Sequence, residues 1–140
     1  MKKIYLLLIF LVFLQVRPTN LPNVLTLEGD YYIYCVSTTL PNVDCGEFKR
    51  VKTSLAEFDS VISQCKNIKG VTYVAKFSQT VLQEVLSKLN LANSNNEEIT
   101  YGYSNKLNRG IYINGVEVNV QIACVREQIY VGYPILLGSY

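Results

Sequence analysis

The most constraining stretch is Ile111-Tyr112-Ile113, then Asn114-Gly115, then Val116-Glu117-Val118-Asn119-Val120-Gln121-Ile122. Asn-Gly between two alternating runs predicts a two-residue hairpin, because both turn residues must take positive φ. The alternation fixes the register. Ile113 faces Val116 and Ile111 faces Val118 on one side, while Tyr112 and Glu117 share the other. A slip of one residue would break that agreement. A second turn at Arg126-Glu127 pairs Cys124 with Ile129 and Ile122 with Val131, and points Tyr130 away from the apolar side. A chain ending this way must build antiparallel sheet.

Upstream, Asp30 to Thr38 is rich in Tyr, Ile and Val and reads as a strand. Leu40-Pro41-Asn42-Val43-Asp44 is turn chemistry. Phe48 to Thr53 is a short, charged strand suited to a sheet edge. Ser54-Leu55-Ala56-Glu57 is a capping box that opens a helix. Phe58, Val61, Ile62 and Cys65 would form its apolar face, with Gly70 as its stop. Val71 to Phe77 is again a strand. A second helix opens near Ser78 or Thr80, and Val81, Leu82, Val85, Leu86 and Leu89 form a stripe expected to pack in the core. Asn93 to Asn96 is a polar loop. The resulting class is α+β, mainly antiparallel sheet with two helices packed on one face and C-terminal β-hairpins. Residues 30–140 make a single domain.

Ahead of it, Met1-Lys2-Lys3 and the uncharged run Ile4 to Leu14 have the layout of an export signal. The run is too short for a full membrane span. Residues 1–20 are therefore expected to be a signal peptide or, since no Ala-x-Ala-like site follows, a signal anchor. This places the domain outside the cytoplasm, with membrane contact only through the N-terminal segment. Residues 21–29 read as an extended linker, held out of helix by the prolines around them.

Composition then excludes function classes. The formal charge of the chain is +2, but Lys2, Lys3 and Arg17 lie in the export segment. The remainder carries ten Lys or Arg against eleven Asp or Glu, a net charge of −1. Affinity for nucleic acid is dominated by phosphate contacts, so such a domain is not expected to bind it. The chain has no His. That removes the usual general base, and no Ser, Cys or Lys stands in a convincing nucleophile pattern. Ser63-Gln64-Cys65-Lys66 has Ser-x-x-Lys spacing but falls late in the expected helix. Glu97-Glu98 would point apart and lack a cleft. No Gly-rich phosphate loop follows a strand. The expectation is a protein that is not an enzyme and has no cofactor.

Four cysteines, Cys35, Cys45, Cys65 and Cys124, allow two disulfides in an exported chain, with three possible connectivities. Cys35–Cys45 as a loop closure and Cys65–Cys124 as a helix-to-sheet staple are favoured. Buried free thiols are the alternative. Without His or a Cys-x-x-Cys pair, no metal site is expected.

Tyrosine is the unusual residue, with 11 in the chain. Its ring is apolar and its tip polar, which suits recognition surfaces. Tyr112 and Tyr130 fall opposite the core by parity. With Tyr101 and Tyr103 they form the candidate binding set, and ordinary strand propensity is the competing explanation.

Tyr103-Ser104, Asn114 to Ala123, and Ile129-Tyr130-Val131-Gly132-Tyr133-Pro134-Ile135 together are similar to the C-terminal part of YwmB-like proteins. These are exported proteins of Gram-positive bacteria with a TATA-box-binding-like fold. The likeness covers residues 99–140 and implies an extracytoplasmic α+β protein. It carries no functional residues. The function expected is an exported, non-enzymatic interaction or structural protein of the cell envelope, with an envelope protein as partner. The alternative is a module that binds wall glycan or a small ligand.

Overall fold

The structure, a computed structural model, describes residues 20–91 and 99–137. Residues 1–19, most of the expected export segment, lie outside the described residues, as do the expected Asn93–Asn96 loop, Glu97-Glu98 and the last three residues.

The chain is α+β, with a large antiparallel sheet and three helices among the described residues. In order these are α1 (Leu21–Leu25), β1 (Asp30–Thr38), β2 (Val43–Asp44), β3 (Lys49–Ser54), α2 (Phe58–Ile62), β4 (Cys65–Lys76), α3 (Gln79–Lys88), β5 (Ile99–Gly102), β6 (Ile111–Ile113), β7 (Val116–Val118), β8 (Val120–Val125) and β9 (Gln128–Tyr133). Seven strands form one sheet in the order β2-β3-β1-β4-β9-β8-β5, and β6 and β7 form a separate hairpin.

Both hairpin registers follow the sequence pattern. Ile113 pairs with Val116 and Ile111 with Val118. Cys124 pairs with Ile129 and Ile122 with Val131. Asn114 and Gly115 take φ of 51° and 80°, and Arg126 and Glu127 take 52° and 64°. The apolar side of the first hairpin is less buried than its alternation implies. Val118 is buried, but Val116 is 64% and Ile111 37% exposed. The hairpin stands off the main sheet, so only one end of it reaches the core.

Helix α3 forms as expected. Ser78 is its N-cap and accepts a hydrogen bond from the Val81 N–H at 3.1 Å. Val85, Leu86 and Leu89 are buried, with Val81 and Leu82 packed against the core.

Four upstream expectations are corrected. Ser54 ends strand β3 and does not cap the helix: the five-residue α2 has Glu57 at its N-cap without a side-chain cap, and Cys65 already begins strand β4. Gly70 is not a helix stop; it lies inside β4, paired with Tyr34. The steps from Phe58 to Cys65 suit a helix, but residues 65–76 gain more by pairing along β1 and β9 than a longer helix could offer. The expected linker contains helix α1, whose Leu21 and Leu25 are fully buried. Pro22 lies in its first turn, where a missing N–H costs nothing. Strand β3, expected as an edge, is covered by the two-residue β2.

The helices and one face of the sheet share a core. Tyr31, Ile33 and Cys35 from β1, Val71 and Tyr73 from β4, and Ile129, Val131 and Tyr133 from β9 meet Leu21, Leu25, Phe58, Val85 and Leu89 there. Side chains alternate along a strand, so Tyr32, Tyr34, Gly70, Thr72, Val74, Tyr130 and Gly132 lie on the opposite face.

The C-terminal segment crosses that opposite face. A Cβ on Gly132 would lie 2.7 Å from the Ile135 carbonyl carbon and the Leu136 nitrogen. A Cβ on Gly70 would lie 2.6 Å from the Tyr133 carbonyl oxygen and 3.0 Å from Leu137 Cδ1. Only glycine admits the backbone so close at these two positions. The Leu136 N–H donates to the buried Gln121 Oε1 at 2.9 Å, which holds the segment down.

Candidate functional site

Registers across the helix-free face line up residues from six strands. Tyr32 faces Lys52 on β3 and Thr72 on β4. Thr72 faces Gly132 on β9, Gly132 faces Gln121 on β8, and Gln121 faces Tyr101 on β5. Two residues further along β1, Tyr34 faces Arg50 and Gly70.

A cavity of about 180 Å³ opens on this face. Tyr32, Tyr34 and Tyr130 supply rings, Thr72 and Val74 lie in the sheet beneath, and Asp30, Arg50 and Gln128 add polar groups. Leu136 and Leu137 of the crossing segment complete the lining. The volume is well above the roughly 10–15 Å³ that one water needs.

Thr72 is buried, 4% exposed, and its hydroxyl has no hydrogen-bond partner. Among the described residues it is the one buried side-chain polar atom left in this condition. An unpartnered buried polar group is costly. A ligand with a hydrogen-bonding group would satisfy it.

Arg50 is half-buried, with its guanidinium carbon 5.0 Å from the centroid of the Tyr32 ring. No carboxylate lies within 4.0 Å of it among the described residues. The nearby Asp30 is engaged by Lys52 at 3.7 Å, an exposed pair of small energetic weight. Burial pushes the Tyr34 phenol up, and the neighbouring Arg50 offsets this only in part. Tyr34 is therefore a neutral hydroxyl at ordinary pH. The Tyr130 hydroxyl donates to Gln128 Oε1 at 2.8 Å. The cavity thus offers aromatic faces, neutral hydroxyls, an amide and one guanidinium. That set can stack and hydrogen-bond a polar ring. Among the described residues, no three His, Cys, Asp or Glu side chains gather to hold a metal ion.

The structure distributes the four sequence-predicted tyrosines. Tyr130 lines the cavity. Tyr101 shares its face but lies on edge strand β5, 54% exposed. Tyr103 follows β5 at 48% exposure, and Tyr112 sits on the separate hairpin at 66%. The sequence reading missed Tyr32, Tyr34, Thr72 and Arg50. The signal was available for the first two: with Tyr31 and Ile33 turned to the core, parity turns Tyr32 and Tyr34 out.

All four cysteines are free thiols in the structure. Cys35 is buried, Cys45 exposed, and Cys65 and Cys124 half-buried. Cys65 lies beside Cys35 rather than Cys124. Burial and that neighbouring thiol push Cys65 up to about 11.

Comparison with known protein families, curated proteins and solved structures finds no match to this chain.

Proposed function

We propose that this is an exported, non-enzymatic binding module that takes a small polar ligand, such as a unit of wall glycan, in the cavity on its helix-free face. The observation that carries the reading is the buried, unpartnered Thr72 hydroxyl in a cavity lined by three tyrosines. Sites for small ligands typically combine apolar and aromatic walls with a few placed polar groups. The export segment supports an extracytoplasmic setting, as does the resemblance to YwmB-like proteins. A chain without His, whose cavity pairs no nucleophile with a base, supports binding over catalysis.

The test is retention of the protein on isolated cell-wall material, with competition by a soluble digest of the same material. The reading expects retention that the digest competes away and that Tyr32→Ala abolishes while the protein stays folded. Retention unaffected by Tyr32→Ala and Tyr130→Ala would remove the cavity from the account.

A second reading is favoured by the β6–β7 hairpin. It exposes Ile111 and Val116 on one face and Tyr112 on the other. A hairpin so exposed suits an envelope protein as partner. Loss of a co-purifying protein in Tyr112→Ser, with wall retention intact, would favour it.

A further inference from the structure

We infer that the cavity selects an acidic sugar, a hydroxylated ring bearing a carboxylate, with the ring over Thr72 and the carboxylate on Arg50. This rests on the proposal that the cavity is a ligand site, and it names the chemistry of the ligand.

Three features converge. The Thr72 hydroxyl can donate and accept. Its burial without a partner calls for a ligand group able to do either, and a sugar hydroxyl is such a group. The tyrosine rings present electron-rich faces, against which the C–H face of a pyranose packs. Arg50 supplies the charge. Its guanidinium is laid over Tyr32, and no carboxylate lies within 4.0 Å among the described residues. A planar fork of N–H donors held against an aromatic face matches a carboxylate in two-point contact.

Placement agrees with a single ring: the Arg50 guanidinium lies over Tyr32, and Tyr32 faces Thr72. Asp30, the acidic group of the lining, is engaged by Lys52 at 3.7 Å, so the two offset one another and Arg50 is the cation that the lining presents.

The experiment is a titration of the protein with glucuronic acid, glucose and acetate at one ionic strength, read by amide chemical shifts. Glucuronic acid is expected to bind saturably, shifting residues 32, 50, 72 and 136, and about tenfold more tightly than glucose or acetate. Thr72→Val keeps the shape of the side chain and removes the orphan hydroxyl. It should weaken glucuronic acid about five- to tenfold, the scale of one hydrogen bond, without lowering the melting temperature. Arg50→Gln should bring glucuronic acid down to the affinity of glucose. Equal binding of glucose and glucuronic acid by the wild type would overturn the acidic preference and leave the ligand site standing. Acetate binding as tightly as glucuronic acid would overturn the role of the ring. No shift at the cavity with any of the three would overturn the inference. The cavity reading itself would then fall only if wall retention also survived Tyr32→Ala.

Discussion

Asn119 and Ser104 hold each other by both ends of the Asn119 amide. Asn119 Oδ1 accepts the Ser104 N–H at 2.7 Å, and its Nδ2 donates to the Ser104 carbonyl at 2.8 Å and the Asn108 carbonyl at 2.9 Å. Both residues are fully buried, and the Ser104 hydroxyl donates to the Leu89 carbonyl at the end of α3. This network ties the loop before β6 to the helix and to the β7–β8 junction. Asn119→Ala leaves several buried polar groups unpaired and is expected to cost about 2–4 kcal/mol. Ser104→Ala loses less, about 1 kcal/mol. Urea unfolding of the two variants checks the order.

Gly132→Ala is expected to lift the C-terminal segment. The new methyl would collide with backbone atoms of Ile135 and Leu136, which are less able to yield than a side-chain tip. The expected cost is about 1–3 kcal/mol. Faster hydrogen exchange at the Leu136 amide, which Gln121 now protects, would report the loss of that cavity wall. Unchanged exchange would show that the crossing segment yields in some other way.

High pH should unfold the protein partly through Tyr133. Burial pushes this phenol up to about 12 from an ordinary value of 10, and its hydroxyl donates to the Arg109 carbonyl at 2.7 Å. The folded state therefore holds its proton more tightly than the unfolded state does. The stability this contributes is complete below pH 10 and is lost as pH rises toward about 12. Urea midpoints at pH 8 and pH 11 should fall with pH in the wild type. In Tyr133→Phe, which starts lower for want of the hydrogen bond, they should fall less.

What the sequence showed and what it hid divides by distance along the chain. The two hairpin registers depend on turn residues and their immediate neighbours, so alternation around Asn114-Gly115 and Arg126-Glu127 was enough. The Ser78 cap and the α3 stripe are local in the same way. Gly70 was misread because its role is set by Tyr133 and Leu137, more than sixty residues away, which pass directly over it. Cys65 has helical spacing from Phe58, yet its place in β4 follows from Thr38 across the sheet. Pro22 looked like a barrier to helix, but a first-turn proline with two buried leucines around it promotes one. Of the candidate site, Tyr130 was legible from parity alone. Thr72 and Arg50 were not, because residues from β3, β1, β4 and β9 meet only after the sheet has formed.

The most direct test of the central claim is an amide chemical-shift map of the protein titrated with soluble wall digest. The account predicts saturable shifts centred on residues 32, 34, 72, 130 and 136, on the helix-free face. Shifts confined to the 111–118 hairpin, with the cavity residues unmoved, would contradict it.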